Sequence, residues 1–329
     1  MRSDTVSANV GILTHNDADG ICAGALAKIA YPNAKIDFAE PPELAAKVRR
    51  LPHDWATAII LDLGVSLAQR LEVKQAFKEV SKAHEIVYID HHYFPIGINR
   101  RTLVCKELAH VVGMSASELA LDHFKPPSHL KYIALLGAIG DYQEHTLRMQ
   151  RLVRKYGWKK AYLEEFLLEQ ALGVTRDDHP FKRKVINGLA KGLWPSDMPN
   201  LLEQARVGAR RVRALEKHVS ESVRKINEKI AFVPDVPFGA TGLAAEYALE
   251  IMYVDVGIAA YRDRNHIRLS ARRSKRSKLD LNLIIGKLAL QMGGVGGGHK
   301  AAAGSWVPVQ KLDDFLRGLR REISKQSWE

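Results

Sequence analysis

Three short apolar runs, each followed by acidic or histidine side chains, constrain the fold of this chain more than any other feature. They lie at residues 9–14, 57–62 and 85–90, and helical patterns at 20–29 and 66–80 separate them. Near-continuous apolar strands that alternate with helices are typical of a parallel sheet covered on both faces. We therefore predict an α/β fold with a doubly wound, mostly parallel sheet. In such sheets, ligands bind beyond the carboxyl ends of the strands.

The remainder of the chain predicts a second, smaller α/β domain. Residues 126–170 have a helical pattern, and apolar residues spaced by three or four predict a long helix between 200 and 230. Beyond it we expect a hairpin of strands 251–261 and 266–271, a helix at 279–292, a glycine-rich loop, a strand at 304–309 and a last helix at 310–323. The predicted domains are a catalytic domain at 1–190, a connector helix at 191–232 and a substrate-binding domain at 233–329.

The distribution of charge assigns different tasks to the two domains. The 329 residues contain 49 Lys and Arg against 37 Asp and Glu, a net charge of +12, and residues 186–329 hold 24 basic and 15 acidic side chains, or +9 of that excess. Such an excess favours acidic partners, nucleic acid first. Two cysteines exclude a disulfide scaffold, and no apolar run approaches the ~18 residues of a membrane span. We expect a soluble cytoplasmic protein with no membrane contact.

Polar residues that follow the three runs form the candidate metal site. The first run leads into His15, Asp17 and Asp19, which alternate with other residues, and Asp62 ends the second run. Taken alone, each of these carboxylates could instead cap a helix or a turn. The third run ends in Asp90, His91 and His92, and Asp141 follows a later helical segment. Imidazole and carboxylate without sulfur suit hard divalent ions, so we predict two of them, Mn²⁺ preferred with Mg²⁺ as the alternative. Two such ions form a clamp for in-line attack on phosphorus.

Two features of the second domain predict phosphate binding. The segment 293–304 has five glycines among its first six residues, followed by His299 and Lys300. Glycines leave backbone N–H groups free to approach an anion, although a flexible loop is the alternative interpretation. The segment 262–278 contains eight basic residues and one acid, which indicates a surface for a polynucleotide backbone or a solvated hairpin edge.

Together, these residues resemble the DHH phosphoesterase superfamily, in the subgroup with a C-terminal DHHA1 domain. In size the chain is similar to archaeal RecJ-like proteins such as the Hef-associated nuclease. The resemblance implies that His15, Asp17 and Asp62 hold one metal, and that the second is held by Asp19, Asp62, His91 and Asp141. It further implies that Asp62, Asp90 and His92 are catalytic, with His92 facing the scissile phosphate. The implied substrate-binding residues are Ser270, Arg272, Gly297, Gly298, His299 and Lys300.

The resemblance implies a Mn²⁺-dependent exonuclease that hydrolyses the phosphodiester bonds of single-stranded DNA or RNA by a two-metal mechanism. The alternative is a nanoRNase or cyclic-dinucleotide phosphodiesterase, which acts on very short oligonucleotides. A third hypothesis is a binding module that kept the fold and serves a helicase or replication complex. A helicase or another repair or replication protein is therefore a candidate partner, and assembly into a homo-oligomer stays open.

Overall fold

The computed structural model describes residues 9–325, so the ends of the first and last predicted domains, at 1–8 and 326–329, lie outside the described residues. The chain divides into two compact units. The first contains the described residues up to Val65 together with Leu71–Ala209, and the second contains Ser66–Arg70 and the described residues from Arg210 onward. No helix in the described range has the length and apolar character needed to cross a membrane.

The first unit is built on a parallel sheet of five strands. Its strands are β1 Val10–Thr14, β2 Lys35–Phe38, β3 Thr57–Leu61, β4 Glu85–Asp90 and β5 Glu107–His110. They are ordered β2-β1-β3-β4-β5, and each neighbouring pair is parallel. The predicted strands correspond to β1, β3 and β4, which occupy the centre, whereas β2 and β5 form the edges. This topology places the carboxyl ends of the three central strands along one edge of the sheet.

Helices cover both faces of this sheet, so the predicted doubly wound α/β fold is confirmed. The helices of the first unit are α1 Ala18–Ala30, α2 Leu44–Arg49, α3 Arg70–Val80, α4 Ala116–Phe124, α5 Tyr132–Gly140, α6 Leu147–Tyr156, α7 Trp158–Val174 and α8 His179–Ala190. One apolar core joins the sheet to α1, α4, α5, α7 and α8, and a separate core joins its other face to α2 and α3. A further helix, α9 Pro199–Ser222, adds Leu201 and Ala205 to the first of these cores.

The second unit has a mixed sheet of six strands. Its strands are β6 Arg224–Asn227, β7 Ile230–Val233, β8 Val256–Asp263, β9 His266–Arg273, β10 Val295–Gly298 and β11 Ala302–Pro308. The order is β10-β11-β9-β8-β7-β6, with β7 and β8 parallel and the other pairs antiparallel. The remaining helices are α10 Thr241–Met252, α11 Leu281–Gln291 and α12 Leu312–Lys325. The predicted second α/β domain and its β8–β9 hairpin are therefore present.

Three predicted elements differ from the structure. The long helix expected between 200 and 230 ends at Ser222. The chain then forms β6 and the start of β7, because Arg224 and Lys225 pair antiparallel with Phe232 and Ala231. The strand expected from 251 begins only at Val256, since α10 continues to Met252. The glycine-rich segment was expected to be a loop, but Val295–Gly298 is a strand because it pairs with β11. Its glycines are tolerated in a strand where the partner backbone approaches closely.

Candidate metal centre

A tight turn after β1 positions the first candidate ligands. The Asp17 side chain caps α1 by accepting a hydrogen bond of 3.0 Å from the Gly20 N–H. A Cβ atom at Gly20 would lie 2.4 Å from the His15 carbonyl oxygen, so only glycine fits at this point of the turn. The cap and the glycine together fix the backbone that carries His15, Asp17 and Asp19.

His15, Asp17 and Asp62 form the first group of ligand atoms. The Nδ1 atom of His15 lies 2.9 Å from Oδ2 of Asp17 and 3.6 Å from Oδ2 of Asp62. One ligand atom from each residue lies within 4.8 Å of the others. The structure thus brings together the three residues that were predicted to hold one ion.

A second group is arranged around His91. Its Nε2 atom lies 3.2 Å from Oδ1 of Asp62, 3.5 Å from Oδ2 of Asp141 and 3.7 Å from Oδ2 of Asp19. His91, Asp19 and Asp62 are all buried, and Asp141 is half-buried. These are the four residues predicted to hold the second ion.

Asp62 belongs to both groups because its two oxygens face different histidines. Oδ1 is directed to His91, whereas Oδ2 lies near His15, is buried and accepts no hydrogen bond. A buried carboxylate oxygen without a hydrogen bond is costly unless a cation compensates it. The backbone of Asp62 adopts a left-handed conformation with φ of 57°, a strained geometry of the kind that occurs at functional sites. The donor set therefore fits a pair of divalent ions, with Asp62 between them.

The electrostatics of the carboxylates also indicate a cation site. Burial and the charge of Asp62 raise the pKa of Asp19 to about 8. Burial likewise raises the pKa of Asp141 to about 6, and Asp62 contributes to that increase. Four carboxylates held this closely repel one another when they are all ionised, and a bound cation removes that repulsion.

The histidines show the complementary effect. Burial lowers the pKa of His15, but Asp17, Asp62 and Glu40 together outweigh burial, and the net pKa is raised well above its usual value. Burial also lowers the pKa of His91, but Asp62 and Asp141 raise it by more, so its net pKa is again well above the usual value. Both imidazoles thus occupy positions where positive charge is stabilised, whether it is a proton or a metal ion.

His92 is held by Asp90 and by a glycine beside its ring. Its Nδ1 lies 3.0 Å from Oδ1 of Asp90, and its backbone N–H donates to Oδ2 of the same carboxylate. Although burial opposes the shift, His92 lowers the pKa of the fully buried Asp90 to about 2. A Cβ atom at Gly64 would lie 2.7 Å from Cγ of His92. The orientation of this ring is therefore set from two sides.

Sequence reasoning missed several residues that surround these ligands. Oε2 of Glu40 lies 3.4 Å from Nε2 of His15, and Oε1 of Glu40 accepts a hydrogen bond from Asn16. The Asp19 carboxylate accepts backbone hydrogen bonds from Ala116 and Ser117 at the start of α4. Glu40 comes just after β2, which was not predicted. The only sequence signal for the α4 contact is Ser115, whose side chain caps that helix.

In the second unit, Ser270 and Arg272 lie two residues apart on β9. The hydroxyls of Ser270 and Thr241 are 2.7 Å apart, and Nε of Arg272 lies 3.3 Å from Oε1 of Glu246. A Cβ atom at Gly242 would lie 2.7 Å from the Arg272 guanidinium. The predicted phosphate-binding residues Ser270 and Arg272 thus have neighbours on α10 that the sequence analysis did not indicate: Thr241, Gly242 and Glu246.

The glycine-rich segment lies on the same sheet. Gly297 pairs with Gly304, which in turn pairs with Ser270, so β10, β11 and β9 bring the predicted residues onto neighbouring strands. The Gly298 N–H donates to Asn282, and its φ of 143° favours glycine. His299 and Lys300 follow in the turn to β11, where the His299 N–H donates to the Ala302 carbonyl. This arrangement leaves His299 and Lys300 at one end of the strand pair.

Comparisons with known proteins identify the second unit and the overall fold. Residues 225–325 match the DHHA1 domain family. No curated protein matches the sequence significantly. The pGpG-specific phosphodiesterase PggH from Vibrio cholerae is 16% identical with a TM-score of 0.56, and the match covers 96% of this chain and 99% of PggH. A DHH domain described as a member of the S1p family of ribosomal proteins is 16% identical with a TM-score of 0.68, over 96% of this chain and 86% of that domain.

RecJ of Thermus thermophilus, solved in complex with Mn²⁺, is 15% identical with a TM-score of 0.63. The match covers 96% of this chain and 52% of RecJ, so the chain spans about half the length of that protein. The same RecJ was also solved in complex with Mg²⁺. At these identities, the likeness to PggH, RecJ and the DHH domain shows a shared fold.

Proposed function

We propose, from the premise that the chain carries a DHHA1 domain and has the fold of the DHH phosphoesterases, that it is a metal-dependent phosphodiesterase that hydrolyses single-stranded nucleic acid from one end. The single observation that carries this proposal is the position of Asp62. Its two carboxylate oxygens face two separate groups of His and Asp ligands. A carboxylate shared between two ions is the arrangement that a two-metal hydrolase requires.

Each group of residues has a role in this proposal. His15, Asp17 and Asp62 would hold one ion, and Asp19, Asp62, His91 and Asp141 the other. When bound, the ions, Mn²⁺ by preference, supply an activated water and stabilise charge on the phosphorus. Apart from Asp141, which follows α5, these residues lie at or just after the ends of three hydrogen-bonded strands, which would hold their side chains in place around the ions.

His92 would contact the scissile phosphate. Burial lowers its pKa, but Asp90 and Asp62 outweigh that effect, so the net pKa of His92 is raised. This shift favours the protonated ring, which is a donor for a phosphate oxygen. Asp90 is fully buried, and it would act through His92 by holding Nδ1 of the ring. Gly64 would restrict the ring from the other side.

The DHHA1 domain would bind the nucleic acid. We assign phosphate contacts to Ser270, Arg272, Gly297, Gly298, His299 and Lys300. The segment 262–278 covers the end of β8, the turn and all of β9. Its eight basic residues support a polyanionic substrate. A helicase or another repair or replication protein as partner, and a cytoplasmic location, stay predictions.

A second candidate substrate is a very short oligonucleotide or a cyclic dinucleotide. The likeness to PggH, which is named as specific for pGpG and is covered over 99% of its length, favours this alternative. A dinucleotide requires the metal centre and a phosphate contact but no extended basic surface, so substrate length separates the two proposals.

An end-labelled digestion series tests both. Two-nucleotide and twenty-nucleotide DNA and RNA are incubated with Mn²⁺, with Mg²⁺ and with EDTA, using the wild type, Asp62→Asn and the surface control Asp54→Asn. We expect hydrolysis in Mn²⁺ that EDTA and Asp62→Asn abolish and that Asp54→Asn retains, with the longer strands degraded progressively from one end. Hydrolysis of the dinucleotides alone would establish the alternative, and activity that survives both EDTA and Asp62→Asn would refute the metal-dependent mechanism.

A further inference from the structure

The segment that forms α6 and the start of α7 is the most basic stretch of the first unit that the proposed metal centre does not use. Residues 147–163 contain six Lys and Arg and no Asp or Glu. Arg148 forms an ion pair with Asp122. The other five are exposed: Arg151, Arg154, Lys155, Lys159 and Lys160. Within residues 9–325, none of these five takes part in an ion pair. Lys160 lies over the Trp194 ring, 3.8 Å from its centroid, and the charges of the other four are available to an external anion.

An aromatic stripe runs along α7 beside these charges. Trp158, Tyr162 and Phe166 are spaced by four residues, which places them on one face of the helix. Their exposed fractions are 62%, 41% and 47%. Three large rings left exposed on one helical face are unusual for a monomer surface and indicate a binding site.

Helix stability does not explain this composition. Lys159 and Lys160 lie in the first turn of α7, where positive charge opposes the helix dipole and acidic residues are favoured. Arg154 and Lys155, in contrast, lie in the last turn of α6, where the dipole favours them. The lysines of α7 thus carry a small energetic cost that binding of an anion would offset.

We infer that this surface, the aromatic stripe together with the exposed Arg151, Arg154, Lys155 and Lys159, binds single-stranded nucleic acid. Aromatic rings beside a basic groove are the common means of binding single strands, because every base has a face that can stack. Four residues of helix place successive rings about 6 Å apart along the axis. This spacing exceeds the ~3.4 Å between nucleotides of one duplex strand, so stacking on the stripe requires an extended single strand.

The middle ring of the stripe is linked to the segment that follows the candidate ligand Asp141. The Tyr162 hydroxyl donates a hydrogen bond of 3.0 Å to Glu144, which is three residues beyond the ligand Asp141. A strand bound along α7 would therefore pass beside the segment that follows Asp141 in the same unit. The inference rests on the proposed function in that it supplies a binding surface for the part of a longer strand that is not being hydrolysed.

The contrasting occupant is a protein that buries the three rings. The four positive charges of Arg151, Arg154, Lys155 and Lys159, which form no ion pair within residues 9–325, favour a polyanion. A protein partner would need a matching acidic surface. The two occupants give opposite results in a binding experiment with nucleic acid alone.

The experiment measures the fluorescence anisotropy of a labelled twenty-nucleotide DNA, in EDTA so that no hydrolysis occurs, and is repeated with RNA. Trp158→Ala/Tyr162→Ala is expected to weaken binding at least tenfold. Lys155→Gln/Lys159→Gln keeps the rings and is expected to lower the slope of log affinity against log salt by about 1.4, since each lost phosphate contact contributes about 0.7 on a single strand. The matched control Lys74→Gln/Lys78→Gln, an exposed pair with the same spacing on α3, should leave both quantities unchanged.

Circular dichroism melting checks that each variant is folded. Wild-type affinity and salt slope in folded variants of both the rings and the lysines would overturn the inference and leave a protein as the occupant of the stripe. The proposed function fails separately, because absence of hydrolysis by the wild type in Mn²⁺ does not affect a binding measurement made in EDTA.

Discussion

The shared position of Asp62 makes a quantitative prediction about metal binding. Mn²⁺ at one hundred times its dissociation constant stabilises the folded protein by about 2.7 kcal/mol for each site. Two sites give about 5 kcal/mol, and for a unit of roughly 200 residues we expect the melting temperature to rise by about 10–20 °C. Asp62→Asn removes the charge that faces both His15 and His91. Each ion would lose a charged ligand in this variant, so we expect Asp62→Asn to show little or none of this rise in melting temperature.

Single-site variants provide the comparison. Asp17→Asn keeps the side-chain cap of α1 and should remove only the first site. Asp141→Asn should remove only the second. Differential scanning fluorimetry with and without Mn²⁺, together with titration calorimetry for stoichiometry, should give two ions for the wild type, one for either of these variants and none for Asp62→Asn. An Asp62→Asn protein that still binds one ion with wild-type affinity would refute the sharing of this carboxylate.

Three further predictions concern the surroundings of the ligands. Because burial raises the pKa of Asp19 to about 8, the metal-free protein should lose stability as the pH rises from about 4 through 8, and its affinity for Mn²⁺ should rise over the same range. Calorimetry at about pH 6 and pH 8.5 measures the Mn²⁺ affinity, and equal affinities at the two pH values would contradict the prediction. Glu40→Gln should weaken Mn²⁺ binding about 10–100-fold, whereas Glu203→Gln on the exposed face of α9 should not, as measured by calorimetry. Gly64→Ala should lower turnover about 100-fold because the new methyl group displaces the His92 ring, while the affinity for Mn²⁺ stays unchanged. Loss of both turnover and Mn²⁺ affinity would instead indicate a damaged metal site.

The central strands could be predicted from the sequence because their burial leaves a signal. β1, β3 and β4 have sheet neighbours on both sides and helices on both faces, so nearly all of their side chains are apolar. The edge strands β2 and β5 carry Lys35, Asp37, Glu107 and His110, and their four-residue length is too short for a pattern. Since most of the candidate ligands lie at or just after the ends of the central strands, the sequence was sufficient to propose them, and metal binding by these residues stays a prediction.

The residues around the ligands could not be predicted because they arrive through tertiary structure. Glu40 is 25 residues from His15, and it reaches that histidine because the parallel register pairs Thr14 with Phe38. The backbone N–H of Ala116, 97 residues from Asp19 in sequence, donates to the Asp19 carboxylate because α4 begins against α1. Glycine-rich β10 is a similar case. Its strand conformation comes from pairing with β11 and not from propensity, so the sequence indicated a loop.

The distribution of charge follows from the chemistry proposed for the two units. A centre with four close carboxylates repels phosphate until cations occupy it, so basic residues for the nucleic acid must be placed elsewhere. In the first unit they are concentrated on α6 and the start of α7, which have no acidic residue between 147 and 163. In the second unit they lie at 262–278. Because most of these basic residues would contact only strands that extend beyond the metal centre, salt should weaken activity on long substrates steeply and activity on dinucleotides little.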